Sequence, residues 1–310
     1  MKNKKVVFMG TPEFAVPILE MLIKETNVIL VVTQPDKEVG RKHELKFSPI
    51  KELALKNNIE VFQPLKIKQD YQLILEKNPD IIITCAYGQI VPNELLETPK
   101  YKAINVHASL LPKLRGGAPI HHAIIDGYKE TGITIMYMSE KMDAGDIISQ
   151  EKVLIEDKDN VGTLHDKLSE LGTKLLYETL PSIFNGTNNK IKQKEEDVTY
   201  GYNIKREEEK IDFNKTAEEI YNQIRGLNPW PLANAYLDDS EIKIIEANVV
   251  DGYSGKCGQI VDITKNSLIV KCKDKSLEIN KIKPFGKKEM LVKDYINGIK
   301  KENLLNKEFR

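Results

Sequence analysis

The sequence contains few of the residues that would indicate a disulfide framework or a membrane segment. Only three cysteines occur, Cys85, Cys257 and Cys272, far apart and without a Cys-x-x-Cys pair, which is typical of a reducing cytoplasm. No apolar run approaches the roughly 18 residues that a membrane helix needs. The apolar run near the N-terminus, Val6 to Met9, is too short for a signal peptide and leads to no cleavage site. We therefore expect a cytoplasmic protein without a membrane segment.

Several cofactor motifs are also missing. The turn Gly10-Thr11-Pro12 has one glycine where a dinucleotide-binding fold carries Gly-x-Gly-x-x-Gly, and its proline removes an N–H group. This argues against NAD or FAD binding. The sequence has no P-loop motif, and its histidines show no metal-binding spacing. We therefore expect neither a P-loop nucleotide site nor a bound metal ion.

The balance of charge differs between segments, although 46 basic and 46 acidic residues cancel over the whole chain. Residues 251–310 carry 14 basic and 8 acidic residues, whereas residues 188–250 carry 9 and 13. A basic C-terminal part suggests a surface that faces a polyanion. The same lysines could form an ordinary solvated face, and charge alone favours that solvated face over the polyanion surface.

Short apolar runs alternate with helical stretches over the first half of the chain. This alternation predicts an α/β fold with a doubly wound, mostly parallel, Rossmann-like sheet. A helix is expected to begin at Pro12, with Thr11 as its N-cap. The pattern then changes to a polar linker over 188–205 and to short strands separated by Gly, Asn and Asp turns. We therefore divide the chain into an N-terminal domain over 1–187, the linker, and a smaller C-terminal β-barrel (OB-like) or sandwich domain over 206–310.

The segment that follows the predicted strand Ala103–His107 is the most informative for function. Asn105 and His107 are two residues apart, so a strand points both side chains to the same face. Ligands of open α/β sheets bind beyond the carboxyl ends of the strands, and an amide beside a titratable imidazole there suggests a substrate site. A satisfied core histidine and a turn-forming asparagine would give the same pair. The adjoining residues 110–117 favour the substrate site, because a rigid Leu-Leu-Pro edge suits a flat ligand.

This segment resembles the formyl-donating site of the 10-formyltetrahydrofolate-dependent formyltransferases, whose signature reads Asn-x-His-x-Ser-x-Leu-Pro-x-x-Arg-Gly. Asp143, within residues 142–146, matches the family's third catalytic group. The resemblance implies that Asn105, His107 and Asp143 are catalytic and that 10-formyltetrahydrofolate is the co-substrate. It also implies that four residues lie along the tetrahydrofolate, namely Ser109, Leu110, Leu111 and Pro112. The positions that match the signature are Asn105, His107, Ser109, Leu111, Pro112, Arg115 and Gly116.

Features outside this signature resemble the methionyl-tRNA formyltransferases within that superfamily. They are the loop over 33–51, the strand-end segment over 86–92, and the Asn-Pro-Trp-Pro sequence over 228–231. The resemblance implies transfer of the formyl group to the methionine of initiator methionyl-tRNA for translation initiation, with Arg41 on the acceptor stem. Residues 42–44 read Lys-His-Glu where the family often has Gly-Lys-Lys, so a weaker grip on the tRNA is expected.

Other functions stay open on the sequence. A sugar-nucleotide amine formyltransferase shares the Asn/His/Asp set and can carry a C-terminal β-domain, although the Arg41 loop and the basic tail disfavour it. A glycinamide ribonucleotide formyltransferase would lack the basic β-domain. An inactive RNA-binding module would have no need of Asn105, His107 and Asp143. Since nothing in the sequence suggests an obligate oligomer, we expect a monomer.

Overall fold

A seven-stranded sheet organises the N-terminal part of the computed structural model, which describes residues 1–39 and 44–310. Its seven strands are β1 (Lys5–Gly10), β2 (Asn27–Val32), β5 (Val61–Phe62), β6 (Ile81–Cys85), β7 (Ala103–His107), β8 (Glu130–Tyr137) and β9 (Ile147–Leu154). Two further strands, β3 (Lys37–Val39) and β4 (Glu44–Lys46), form a separate hairpin. The helices along the same part of the chain are α1 (Val16–Glu25), α2 (Pro49–Lys56), α3 (Gln72–Glu76), α4 (Asn93–Glu97), α5 (Pro119–Ile125) and α6 (Val161–Asn185).

The strand order β5-β2-β1-β6-β7-β8-β9 confirms a doubly wound, mostly parallel sheet. The first five strands in this order, β5, β2, β1, β6 and β7, pair in parallel. All five residues of β6 are buried, as expected for a strand covered on both faces. β8 instead runs antiparallel to β7, and β9 antiparallel to β8. Because consecutive antiparallel strands connect at one end of the pair, the chain that leaves the sheet after His107 re-enters it through β8 at that same end.

The expected start of a helix at Pro12, with Thr11 as its N-cap, is wrong. A short 3-10 turn occupies Glu13–Ala15, and α1 begins only at Val16. The Thr11 hydroxyl donates to the carbonyl of Tyr87 and accepts from the backbone N–H of Gln34, both at 3.3 Å. Thr11 therefore ties together the loops that follow β1, β2 and β6 instead of capping a helix.

A second, antiparallel sheet forms the C-terminal part, in the order β10-β11-β14-β13-β12 with β15 paired to β14. Its elements are α7 (Ala217–Gly226), β10 (Ala233–Leu237), β11 (Ser240–Val250), β12 (Ile260–Ile263), β13 (Leu268–Lys271), β14 (Ser276–Pro284), β15 (Met290–Leu291) and α8 (Val292–Ile296). The last residues of the chain lie between the two outer strands: Phe309 bridges Leu237, and Glu308 bridges Gln259. The C-terminus thereby closes the sheet into the predicted small β-barrel, around an apolar core that includes Ile244 and Leu277.

The chain divides into two compact units, each assembled from separate segments. Unit 1 comprises Met1–Pro119, Glu130–Leu154 and His165–Tyr202, and unit 2 comprises Ile120–Lys129, Ile155–Leu164 and Asn203–Arg310. Much of the predicted linker pairs with unit 1: Ile191 bridges Ile147, and Tyr200 bridges Arg115. The domain boundaries at 187 and 206 stay a prediction. No helix in the described part of the chain is long and apolar enough to cross a membrane.

Candidate active site

Asn105 is the central residue of β7, two residues before the strand ends at His107, and lies beside its register partner Thr84 on β6. The Thr84 hydroxyl donates to the Asn105 Oδ1 atom at 2.8 Å. This bond occupies the carbonyl side of the amide and turns the Nδ2 donor away from β6. Within the described residues, Nδ2 makes no hydrogen bond. Asn105 therefore presents an oriented, half-buried amide donor on β7, an interior strand of the sheet.

His107 is buried, with 5% of its surface exposed. Its Nε2 lies 3.0 Å from the carbonyl oxygen of Leu114. A carbonyl can only accept, so Nε2 carries a hydrogen and donates to it. The other ring nitrogen, Nδ1, lies 3.6 Å from Oδ1 of Asp143. That distance is within ion-pair range but longer than a hydrogen bond, so Nδ1 is the nitrogen left for proton exchange.

Asp143 reaches His107 from a tight turn between β8 and β9. Its backbone is left-handed, with φ +52°, and its Oδ2 accepts the backbone N–H of Gly116 at 2.9 Å. Gly145 completes the turn, and a Cβ atom there would lie 1.9 Å from the carbonyl oxygen of Tyr137. Only glycine fits that position. The structure thus brings Asp143 together with His107, as the signature predicts, through two different loops.

Side chains of β8 and β9 hold the predicted folate segment in place by hydrogen bonds. Leu111 N–H donates to the Thr134 hydroxyl at 3.1 Å, and that hydroxyl donates to the carbonyl of Ser109 at 2.7 Å. The Gln150 amide donates to the carbonyl of Leu111 at 2.8 Å. Ser109 and Leu111 are buried, whereas Leu110 and Pro112 are partly exposed, and the Leu111–Pro112 peptide is cis. Of the four predicted folate residues, Leu110 and Pro112 therefore offer side-chain surface to a ligand.

Arg41, the predicted tRNA contact, lies outside the described residues. The base of its loop is described: Asp36 pairs with Lys51 and accepts the Gln63 amide at 2.9 Å. The hydrogen bond from Lys51, and then that from Gln63, lowers the pKa of the Asp36 carboxyl below its usual range. The loop that carries Arg41 therefore starts from a fixed, ion-paired residue.

In the C-terminal unit, several of the lysines that suggested a polyanion surface have partners. Lys275 pairs with Asp251 and Lys281 with Glu289, at 3.4 and 3.3 Å. A more open group surrounds Phe285, which is 78% exposed. Its lysines are exposed, and no ion pair involves them among the described residues: Lys283, Lys287 and Lys288. Likewise within residues 1–39 and 44–310, no cluster of three His, Cys, Asp or Glu side chains could hold a metal ion.

Comparison with known proteins decides the family. The Formyl transferase family model matches residues 4–180, and the Formyl transferase, C-terminal domain model matches residues 203–300. A methionyl-tRNA formyltransferase of Staphylococcus epidermidis is 52% identical over 306 residues and covers 98% of each chain. One of Staphylococcus aureus is 51% identical over 298 residues, covering 95% of this chain and 96% of the relative. The chain belongs to the methionyl-tRNA formyltransferase family. The resemblance seen in the signature is confirmed, and the protein is a transferase.

Solved structures share the fold of this methionyl-tRNA formyltransferase family member at low identity. An N-formyltransferase of Helicobacter canadensis, in complex with folinic acid and dTDP-3-aminofucose, is 23% identical with a TM-score of 0.67, covering 89% of this chain and 98% of that one. HypX of Aquifex aeolicus in complex with tetrahydrofolic acid is 15% identical with a TM-score of 0.63. The match covers 95% of this chain but only 47% of HypX, so the chain spans about half of that protein.

Some residues that shape the site in this methionyl-tRNA formyltransferase family member were not predicted from the sequence. Thr84 orients Asn105, and Thr134 and Gln150 support the segment after His107. Gln193, which we expected in an unpatterned linker, donates to the backbone of the Asp143 turn. These are isolated hydroxyls and amides without periodicity. Only their positions opposite the motif residues on neighbouring strands could have identified them, and those positions are known only once the strand register is known.

Proposed function

We propose that Asn105, His107 and Asp143 carry out formyl transfer in this enzyme. The enzyme transfers the formyl group of 10-formyltetrahydrofolate to the α-amine of methionine on initiator methionyl-tRNA, for translation initiation. The observation that carries the assignment is the convergence of the three side chains around His107. Asn105 lies two residues before it on β7, and the Asp143 carboxylate lies 3.6 Å from its Nδ1.

The reaction exchanges one C–N bond for another. The neutral α-amine attacks the formyl carbon, and the formyl oxygen becomes the oxyanion of a tetrahedral intermediate. The bond from the formyl carbon to the folate nitrogen then breaks, and that nitrogen takes up a proton while the attacking amine loses one. The protein must therefore donate to the oxyanion and move a proton from one nitrogen to the other.

Asn105 suits the oxyanion because a neutral amide donates without giving up its proton. Its Nδ2 is turned away from Thr84, since the Thr84 hydroxyl occupies Oδ1 at 2.8 Å. The orientation exists before the substrates bind, so no reorganisation is needed when charge develops on the formyl oxygen. A fixed donor of this kind stabilises the transition state by about 2.7–4 kcal/mol.

His107 is the proton carrier in this proposal. Nε2 is committed to the carbonyl of Leu114 at 3.0 Å, which fixes the ring, and Nδ1 faces the reacting groups and Asp143. Asp143 stabilises the imidazolium that forms when Nδ1 accepts the amine proton, without being protonated itself. The 3.6 Å separation is one that can tighten, or be bridged by a water molecule, when the substrates bind.

The two substrates meet this centre from different segments. Ser109–Pro112 lie along the tetrahydrofolate, with Leu110 and Pro112 supplying apolar surface and the Thr134 and Gln150 bonds keeping the segment in place. Arg41 contacts the tRNA acceptor stem from its anchored loop. The exposed lysines around Phe285 meet the phosphate backbone, where Lys acts as a point charge without base readout.

The substrates indicate the cellular compartment in which the enzyme works. A charged initiator tRNA and a reduced folate are used where ribosomes initiate, so we place the enzyme in the bacterial cytoplasm. We also propose that it acts as a monomer, because the three assigned catalytic groups all come from unit 1 of a single chain. Light scattering with and without tRNA tests the monomer.

Formylation of two acceptors tests the proposed function. The protein is incubated with 10-formyltetrahydrofolate and either charged initiator methionyl-tRNA or an amino-sugar nucleotide, and we expect formylation of the tRNA alone. Arg41→Ala should impair tRNA formylation while folate binding survives. Arg41→Lys should not rescue it, because Lys lacks the planar fork of Arg. Formylation of the amino sugar alone would overturn the substrate assignment. Normal tRNA formylation by Arg41→Ala would show that Arg41 is not a tRNA contact.

A further inference from the structure

Gln193 lies in the polar segment between α6 and the C-terminal unit, and its side-chain amide makes four hydrogen bonds. Oε1 accepts from Nε and Nη2 of Arg115, at 3.0 and 2.9 Å. Nε2 donates to the carbonyls of Asp143 and Gly145, both at 2.8 Å. All these residues belong to unit 1. The amide therefore uses its full hydrogen-bonding capacity to join a buried arginine to two carbonyls within the Asp143 turn.

Arg115 gives this connection a fixed base. Its side chain is 3% exposed, and it also pairs with Glu195 at 3.0 Å. The hydrogen bond from Arg115 lowers the pKa of the Glu195 carboxyl, so that partner stays charged. The backbone of Arg115 is held as well, since its N–H donates to the carbonyl of Thr199 at 2.9 Å. A buried guanidinium with these partners has little freedom to move.

The Asp143 turn needs an external support of this kind. Asp143 occupies the left-handed region, at φ +52°, which is uncommon for residues other than glycine, although Asp adopts it more readily than most. Gly145 packs directly against the carbonyl of Tyr137. Two backbone bonds close the turn: Tyr137 N–H donates to the carbonyl of Asp146 at 2.9 Å, and Ala144 N–H donates to the carbonyl of Lys141 at 3.3 Å. The two bonds from Gln193 thus hold Asp143 and Gly145, within the turn, in a conformation that the chain does not favour by itself.

We propose that Gln193 is a positioning residue for formyl transfer, which fixes the Asp143 turn so that its carboxylate faces His107. This inference rests on the role proposed for Asp143. Gln193 does not touch the reacting atoms, and its effect passes through Asp143 alone. Small displacements of a catalytic group are sufficient to lower turnover by about 10²-fold.

Gln193→Glu separates the two halves of the amide without changing its shape. Glutamate keeps an oxygen acceptor for Arg115 but loses both donors to the carbonyls of Asp143 and Gly145. We expect kcat to fall by about 10-fold to 100-fold, while KM for each substrate stays within about 3-fold. If this variant does not fold, Gln193→Met provides the same loss of donors without a negative charge beside two carbonyls.

Gln223 offers a matched control in unit 2. Its Nε2 donates to the carbonyls of Glu208 and Lys210, at 2.8 and 3.1 Å, so it bridges two carbonyls two residues apart just as Gln193 does. Gln223→Glu should lower Tm at least as much as Gln193→Glu, because Oε1 of Gln223 is buried without a hydrogen-bond partner among the described residues, and it should leave kcat unchanged. A merely structural role for Gln193 predicts that the two variants behave alike.

The Asp143→Ala background decides whether Gln193 acts through Asp143. With the carboxylate absent, Gln193→Glu should produce no further fall in kcat. An equal fall in both backgrounds, or a kcat within about 3-fold of the parent enzyme in the single variant, overturns the positioning role. If Asp143→Ala itself retains full kcat, then the proposed function of Asp143 is wrong, a result that is distinct from failure of the Gln193 inference.

Discussion

Replacing Asn105 by aspartate changes one group of the site and preserves its shape. The Thr84 hydroxyl can still donate to one carboxylate oxygen, as it does to Oδ1 at 2.8 Å in the native enzyme. The paired strands still hold the backbone, because Asn105 and Thr84 are register partners. The substitution therefore places an acceptor, the second carboxylate oxygen, at the position where the proposed mechanism needs the Nδ2 donor. Asn105→Ala removes the donor without adding a charge.

The expected size of each effect follows from the role of the donor. Loss of one oxyanion donor costs about 10²–10³ in kcat, or about 2.7–4 kcal/mol, and we expect this for Asn105→Ala. Asn105→Asp should be worse, because a negative charge about 4 Å from a developing oxyanion adds repulsion of about 4 kcal/mol at an effective dielectric constant of about 20. Folate binding should change much less, because the oxyanion exists only in the transition state.

Single-turnover formylation of methionyl-tRNA measures the chemical step, and equilibrium titration measures folate binding. Asn248→Ala on β11 is a suitable control, since its side chain is exposed and lies in the C-terminal unit. The assignment of Asn105 would be refuted if Asn105→Ala kept kcat within a few-fold of the parent enzyme. It would also be refuted if Asn105→Asp were more active than Asn105→Ala, since the negative charge should oppose the oxyanion.

Two further predictions concern the proton carrier and the tRNA surface. If Asp143 acts through His107, the losses should not add, and His107→Ala/Asp143→Ala should be little worse than the poorer single variant in kcat; fully multiplicative losses would mean independent roles. Removing the exposed lysines around Phe285 should flatten the log–log salt dependence of tRNA affinity by about two units, with folate binding unchanged. An unaltered slope would leave these lysines as a solvated face. The substitutions are Lys283→Ala, Lys287→Ala and Lys288→Ala, made together.

Patterns that repeat within one element were sufficient to predict that element. The bounds of β7, Ala103–His107, coincide with the predicted strand, because an apolar run between turn residues specifies a strand locally. The same local geometry places Asn105 and His107 on one face, since side chains alternate along a strand. The family signature then implied Asp143 as their partner, although nothing local connects that residue to β7.

Tertiary structure alone decided how these groups are held. The expected cap Thr11 instead bonds to the loops after β2 and β6, because at the strand ends it meets backbone groups that no sequence pattern reveals. Gln193 lies in a segment that is polar and without periodicity, yet it supports the Asp143 turn. Thr84 orients Asn105 only because the register of β6 against β7 pairs them. Such contacts join residues far apart in the chain, so their partners are determined by sheet order and register, whereas propensity and periodicity describe only neighbours along the sequence.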